Sequence, residues 1–281
     1  MSLVGKSVFI TGASSGIGAA LAKQLVVAGA DVYLFARSTD KLKSLAEEIK
    51  LQNPEKKAQV AFSQDGDVTQ YDKVKKAVDE CIAAFGKIDI LINNAGLALG
   101  APRRFHEQSL EEIQTVNDVN VMGVYWATHA VLNGSMIKNN SGTILNVSSI
   151  TGLNAPTFPG EATYHASKTS LEGFSNVLRH ELTGTDIKVL VIRPGCVETH
   201  FHEQRVGYDK KLYDDFFSGF DYKAVIDEHD RQLTADEVAE GAISMLSTSL
   251  KVSINALNIM PTPQRGYIND TTWNARHGIQ R

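Results

Sequence analysis

The sequence predicts an α/β fold: one parallel sheet of about seven strands with helices on both of its faces. Three observations predict it. Strand and helix signals alternate along the chain, the order that a parallel sheet with helical crossovers demands. The strand segments read as continuous Val, Ile, Leu and Phe runs rather than apolar–polar alternations, so both of their faces are expected to be buried. The first strand also runs into a glycine-rich turn and then straight into a helix.

Residues 7–11 (SVFIT) form the first strand, and 18–28 the helix beyond the turn. Residues 31–35 (DVYLF) form a second strand, and 41–50 carry apolar residues at helical spacing. Strand 59–63 is followed by a helix over 72–85, where Val74, Ala77, Val78 and Cys81 share one face. Strand 88–93 (IDILIN) precedes a long helix over about 107–138, and strand 143–147 (TILNV) follows it. A helix over 163–182 leads to strand 188–192, and a seventh strand is expected around 253–259. The segment 200–233, rich in Asp, Lys, Tyr and Phe, is too long for a plain connection and reads as a lid over a substrate site. The chain 1–281 is expected to be a single domain of Rossmann-type, doubly wound topology, with 260–281 as a C-terminal tail.

Composition narrows the partners. The 281 residues are 43% hydrophobic, enough for one large core. A net charge of −4 offers no basic field for nucleic acid. The 2 cysteines, Cys81 and Cys196, lie far apart and read as reduced thiols. No His/Cys/Asp cluster has metal-ligand spacing, so no metal is expected. The first residues lead directly into a strand, which leaves no room for a signal peptide, and no apolar run is long enough to span a bilayer. A soluble cytoplasmic protein is the expectation.

The turn after the first strand reads Thr11-Gly12-Ala13-Ser14-Ser15-Gly16-Ile17-Gly18. Its glycines let the backbone turn sharply and approach a pyrophosphate, and the next helix offers free N–H groups and its positive dipole end. Gly12, Ser14, Ser15, Gly16, Ile17 and Gly18 are therefore candidate dinucleotide ligands. The second strand selects the dinucleotide. An acidic residue at its end would accept the ribose 2′-hydroxyl of NAD, whereas an arginine accommodates the 2′-phosphate of NADP. Ala36 stands where the acid would be, and Arg37-Ser38 follows, a guanidinium beside a hydroxyl, which suits a phosphate. The expected cofactor is NADP(H).

Tyr164-His165-Ala166-Ser167-Lys168 places a phenol and an amine four residues apart, on one helix face. A carbonyl under reduction needs a proton donor for its developing alkoxide. A phenol with an ordinary pKa of about 10 becomes useful near neutrality if a nearby ammonium and the positive charge of an oxidised nicotinamide together favour the phenolate; lowering it about three units takes about 4 kcal/mol. The fifth strand ends Asn146-Val147-Ser148-Ser149, which brings a hydroxyl to the carboxyl edge of the sheet, where open α/β folds bind ligands.

Together, Thr11–Gly18, Asn93-Asn94-Ala95-Gly96, Ser149, Tyr164-x-x-x-Lys168 and Pro194-Gly195 resemble the short-chain dehydrogenase/reductase family, in order over about 5–200 and again over 234–260. The resemblance implies hydride transfer between a nicotinamide and a small carbonyl or alcohol. It also implies a catalytic tetrad of Asn120, Ser149, Tyr164 and Lys168, in which Asn120 holds a water relaying protons to Lys168. Of the two serines, the family's pattern favours Ser149 over Ser148. Asp67 and Val68 would lie against adenine, while Asn94, Ala95 and Gly96 would line the cofactor cleft. Tyr164 and Lys168 would reach the nicotinamide ribose, and Thr199 the carboxamide, within the stretch Pro194, Gly195, Val197, Thr199. Dimers or tetramers built through the long helices that carry Trp126 and Phe174 are also implied, though either aromatic equally suits a core. The sequence departs from the family in two places: the gap from Ser149 to Tyr164 is about two residues longer, through 156–161, and 200–233 is longer than in minimal members.

The stretches Asn94–Gly100, Val197–Phe201 and Asn255–Thr262 are similar to the NADP-dependent 3-hydroxy acid (serine) dehydrogenase and carbonyl reductase branch. Arg205 or Arg265 would then meet a substrate carboxylate, with His165 and His200 as further pocket residues; each is also readable as a solvated bystander. Bulkier ketones, sugars or steroid-like carbonyls are the alternative substrates. A non-catalytic NADP sensor is the distant alternative, and it would be expected to lack part of the tetrad. Ser–Lys hydrolysis is excluded as a main reading, because Ser149 stands in no Gly-x-Ser-x-Gly elbow.

Overall fold

The computed structural model describes residues 2–53, 58–156, 159–218 and 232–262. Arg265, the tail beyond 262, residues 157–158 of the long Ser149–Tyr164 gap and residues 219–231 of the expected lid lie outside them.

Seven strands form one wholly parallel sheet: β1(Ser7–Thr11), β2(Asp31–Phe35), β3(Val60–Phe62), β4(Ile90–Asn93), β5(Ser141–Val147), β6(Asp186–Pro194) and β7(Ala256–Ile259). Their order across the sheet is β3-β2-β1-β4-β5-β6-β7. From β1 the chain winds outward through β2 to β3, and from β4 it winds the opposite way to β7. The carboxyl ends of β1 and β4 therefore flank a crevice at the point of reversal, where doubly wound sheets bind ligands.

Period-two side-chain geometry explains why the strands read as unbroken apolar runs. Val8 and Ile10 enter one core together with α1(Gly16–Val27), α2(Thr39–Gln52) and α10(Ala235–Leu246). Phe9, between them, enters the opposite core with α3(Tyr71–Phe85), α5(Gly123–Val131) and α7(Ala162–Glu181). All three side chains are fully buried, each worth about 1.5–3 kcal/mol of transfer free energy. Leu34 and Phe35 divide between the cores in the same way, as do Ile144 and Leu145.

The expected long fourth helix forms, but not as one regular helix. α4(Leu110–Asn117) starts in a capping box between Ser109 and Glu112. A π turn, Asp118–Met122, then precedes α5, and a second, Leu132–Met136, precedes the last turn α6(Ile137–Asn139). Hydrophobic periodicity does not register one inserted residue, whereas the structure shows that the first π turn carries Asn120. Trp126 packs edge-on to Tyr71 at 5.6 Å and Phe174 lies 4.6 Å from Tyr125; both are half-buried against the second core. Within the 200–233 segment, α8(Phe201–Arg205) and α9(Lys210–Ser218) are helical, and Val197 bridges to Leu233. No helix among the described residues is long and apolar enough to cross a membrane.

Candidate active site

The crevice begins with the glycine turn. Gly12 has φ +66°, and a Cβ there would stand 2.7 Å from the Ala95 Cα, so only glycine lets the turn after β1 touch the turn after β4. A Cβ on Gly18 would fall 2.4 Å from the Gly12 carbonyl oxygen, so α1 packs down onto the turn it leaves. Asn94 holds the two turns together: its Nδ2 donates to the carbonyls of Thr11 (3.0 Å) and Gly12 (3.1 Å). Thr11 Oγ1 accepts from the N–H groups of Asn94 and Ala95. Asn94 thus shapes the cleft as its fastener. Ser15 precedes α1 without a side-chain cap, and no acidic residue stands in the first turn, so the open N–H groups and the positive helix end face the crevice uncompensated. Thr199 closes the other side, its methyl 3.4 Å from where a Cβ on Gly16 would sit. Pro194 pairs with Ile259 in the sheet and Gly195 N–H donates to the Ile259 carbonyl at 2.7 Å, anchoring the strand end from which Val197 and Thr199 depart.

At the far end of the crevice, Ala36 is buried at the end of β2, while Arg37 and Ser38 are exposed. The loop after β3 runs alongside: a Cβ on Gly66 would be 2.7 Å from the Ala36 carbonyl oxygen. Its neighbour Asp67 accepts from Thr69 N–H (3.0 Å), Thr69 Oγ1 (2.8 Å) and Gln70 Nε2 (3.2 Å). Burial works against the Asp67 carboxylate, but these hydrogen bonds and the Arg37 charge outweigh it and hold its pKa below the ordinary value. Val68 is buried against Gly123. An uncapped helix start over a glycine turn, with a cation and a hydroxyl in place of an acid beyond β2, fits a phosphorylated dinucleotide.

Tyr164 and Lys168 lie one turn apart on α7, and the Lys168 Nζ is 5.8 Å from the centre of the Tyr164 ring. Both are almost wholly buried, at 6% and 4% exposure. Ser149, just past β5, lies close enough to the phenol to favour its phenolate, whereas the Ser148 hydroxyl is buried without a hydrogen-bond partner among the described residues. Of the two serines, Ser149 is the one beside Tyr164. Lys168 donates to the Val147 carbonyl at 2.9 Å. Asn120 is fully buried in its π turn and donates to the Leu97 carbonyl at 2.8 Å and Ser167 Oγ at 3.0 Å. Gly96 separates Asn120 from Lys168: a Cβ on it would be 3.4 Å from Asn120 Oδ1 and 3.3 Å from Lys168 Nζ.

The electrostatics differ from the sequence argument in one respect. Burial is the largest influence on both groups, pushing the Tyr164 phenol up to about 12 and the Lys168 ammonium down to about 8. Arg205 and the neighbouring Ser149 side chain favour the Tyr164 phenolate, while the Glu161 carboxylate opposes it. The phenol is therefore raised above its ordinary value rather than lowered by Lys168, because desolvation acts on the whole group and the ammonium is engaged by Val147.

Arg205 is not the solvated loop arginine that its sequence position allows. It is 5% exposed, with its guanidinium 5.2 Å over the Tyr164 ring and 5.4 Å over the Phe201 ring. Its Nη1 lies 3.3 Å from Oε1 of Glu161, which is only 3% exposed. His200 is exposed and paired with Glu203. His165 is half-buried and contacts the Thr151 carbonyl. Three residues that act on the site escaped the sequence reading: Glu161, Phe201 and Glu172, the last ion-paired with Arg193 and favouring the Lys168 ammonium by its charge. Glu161, Tyr164, Lys168 and Glu172 recur at helical spacing, so one turn-by-turn reading of α7 would have flagged both acids. Phe201, whose ring centre is 5.5 Å from that of Tyr164, carries no such signal, since only the fold of α8 brings it there.

The chain is similar along most of its length to known proteins. The chain is 35% identical to a sulfoacetaldehyde reductase of Chromohalobacter salexigens, over 92% of this chain and 94% of that one. It is 34% identical to a serine 3-dehydrogenase of Agrobacterium fabrum, with the same coverages. Among solved structures, the closed form of a serine dehydrogenase complexed with NADP+ superposes with a TM-score of 0.77 at 31% identity, covering 92% of this chain and 96% of that one. The family profile described as short chain dehydrogenase matches residues 6–208, and the chain belongs to that family of oxidoreductases.

Proposed function

We propose that the protein interconverts a 3-hydroxy acid and its carbonyl counterpart with NADP(H), using Tyr164 as the proton-transferring group. The observation that carries this reading is the buried cluster of Ser149, Tyr164, Lys168 and Arg205 beside the glycine turn. When bound, the nicotinamide would accept or deliver the hydride. In alcohol oxidation the Tyr164 oxygen, once deprotonated, would take the O–H proton of the carbinol. In carbonyl reduction the neutral phenol returns the proton to the developing alkoxide. Ser149, beside the phenol, would hold the substrate oxygen against it. Lys168, its pKa lowered to about 8, carries a charge that responds to its surroundings near working pH.

NADP(H) over NAD(H) rests on Ala36, Arg37 and Ser38, and is in keeping with the NADP+ in the serine dehydrogenase structure. The acid class rests on Arg205, a buried cation over the phenol ring and so within reach of an anion on the bound substrate. The named substrates of the two relatives, serine and sulfoacetaldehyde, both carry an anionic group.

Replacing Tyr164 tests the mechanism. Tyr164→Phe is expected to lower kcat by about 10²–10⁴ while NADPH binding stays within about twofold. A variant that reduces ketones at the full rate would refute the assignment.

A further inference from the structure

The mechanism above leaves Glu161 unused, although it is the most unusual group in the site. It immediately precedes α7, three residues before Tyr164, and is 3% exposed. Among the described residues neither of its carboxylate oxygens has a hydrogen-bond partner, and its one ion-pair contact is Arg205, at 3.3 Å. A buried carboxylate normally retains several hydrogen bonds, since leaving them unmade costs about 1–3 kcal/mol or more. His165, half-buried, also favours the Glu161 carboxylate, after Arg205. Beside Arg205, His202 is held neutral by burial and by the arginine itself, so Arg205 is the cation there. The Glu161–Arg205 pair thus lies against the catalytic phenol with hydrogen-bonding capacity to spare on the acidic side.

We propose that Glu161 and Arg205 form a receptor for a zwitterion, Glu161 taking the ammonium and Arg205 the carboxylate of a 2-amino-3-hydroxy acid. This rests on the reading of the site as a 3-hydroxy acid dehydrogenase and assigns Glu161 as the residue that sets its selectivity. The physical reason is charge conservation in a buried site. A substrate with only a carboxylate would draw Arg205 away and leave Glu161 buried and uncompensated, with a second anion close by. A substrate with only an ammonium would do the converse to Arg205. A zwitterion exchanges one ion pair for two and leaves neither charge bare. In a 2-amino-3-hydroxy acid both ions sit on the carbon next to the carbinol carbon. With the hydroxyl at Tyr164, they fall where the pair already lies against the phenol. Glu161 is otherwise held above its ordinary pKa by burial, and an ammonium would relieve that cost.

The test is a matched set of alcohols followed by NADPH formation. Serine and threonine carry both charges, 3-hydroxypropionate and 3-hydroxybutyrate only the carboxylate, and 2-aminoethanol only the ammonium. The wild-type enzyme is expected to favour each amino acid over its singly charged analogue by on the order of 100-fold in kcat/KM. In Glu161→Gln that preference collapses: the amino acids fall towards the hydroxy acids, mainly through KM, while the hydroxy acids hold or improve. Equal turnover of serine and 3-hydroxypropionate by wild type overturns the zwitterion receptor and leaves the 3-hydroxy acid reading standing. A uniform loss in Glu161→Gln across all five compounds also overturns it, and makes Glu161 structural. If no charged alcohol reacts while neutral ketones are reduced with NADPH, the 3-hydroxy acid reading itself fails and takes the receptor with it.

Discussion

Asn120 grips both polar groups of Leu97: its Oδ1 accepts from the Leu97 N–H at 2.9 Å and its Nδ2 donates to the Leu97 carbonyl at 2.8 Å. The second Nδ2 proton goes to Ser167 Oγ, one residue before Lys168. One side chain in a π turn therefore ties the segment after β4 to α7. Asn120→Ala strands the Leu97 peptide groups in a buried setting, at about 1–3 kcal/mol for each left unsatisfied. A fall in Tm of several degrees is expected, together with a loss of activity, and thermal unfolding beside steady-state rates measures both. An unchanged Tm would mean that the clamp has no structural weight.

Cofactor choice has a sharper test. Arg37→Ala removes the cation at the end of β2 and leaves the glycine turn intact. With a charged hydrogen bond worth about 1.5–3 kcal/mol, the KM for NADPH should rise about 10–100-fold while that for NADH moves little. Equal changes for the two dinucleotides would refute the 2′-phosphate role.

Lys168 makes stability depend on pH in a sense opposite to that of a salt-bridged lysine. Burial lowers its pKa from 10.5 to about 8 in the folded chain, so between those values the unfolded chain binds the extra proton. Stability arising from this group therefore increases from about pH 8 to about pH 10.5 and is lost as pH falls through the folded value. Lys168→Met removes the term. Wild type should thus gain Tm relative to Lys168→Met between pH 7 and pH 10, on the order of a few degrees. A constant difference would show that the folded ammonium keeps an ordinary pKa.

Much of this protein was legible because its local rules and its global fold agree. Strand runs such as Val8-Phe9-Ile10 are apolar at every position since the sheet is covered on both faces, and that pattern survives without any knowledge of what covers it. The Gly12–Gly18 turn is readable for a similar reason: its function lies in a backbone path that few sequences permit. Tyr164 and Lys168 share one helix face by spacing alone. The π turn at Asn120 was not legible, because one inserted residue leaves the apolar periodicity of a long helix almost unchanged.

What the sequence determined by itself is thus the parallel sheet, the family and which residues are offered for chemistry. Tertiary structure decided their surroundings. It buried Arg205 over Tyr164 and set Glu161 against it, turning two ordinary charged residues into the most polarised part of the site. It also raised the phenol where spacing alone suggested a lowered one. Both outcomes depend on desolvation, which is a property of everything packed around a group and is written into no single stretch of chain.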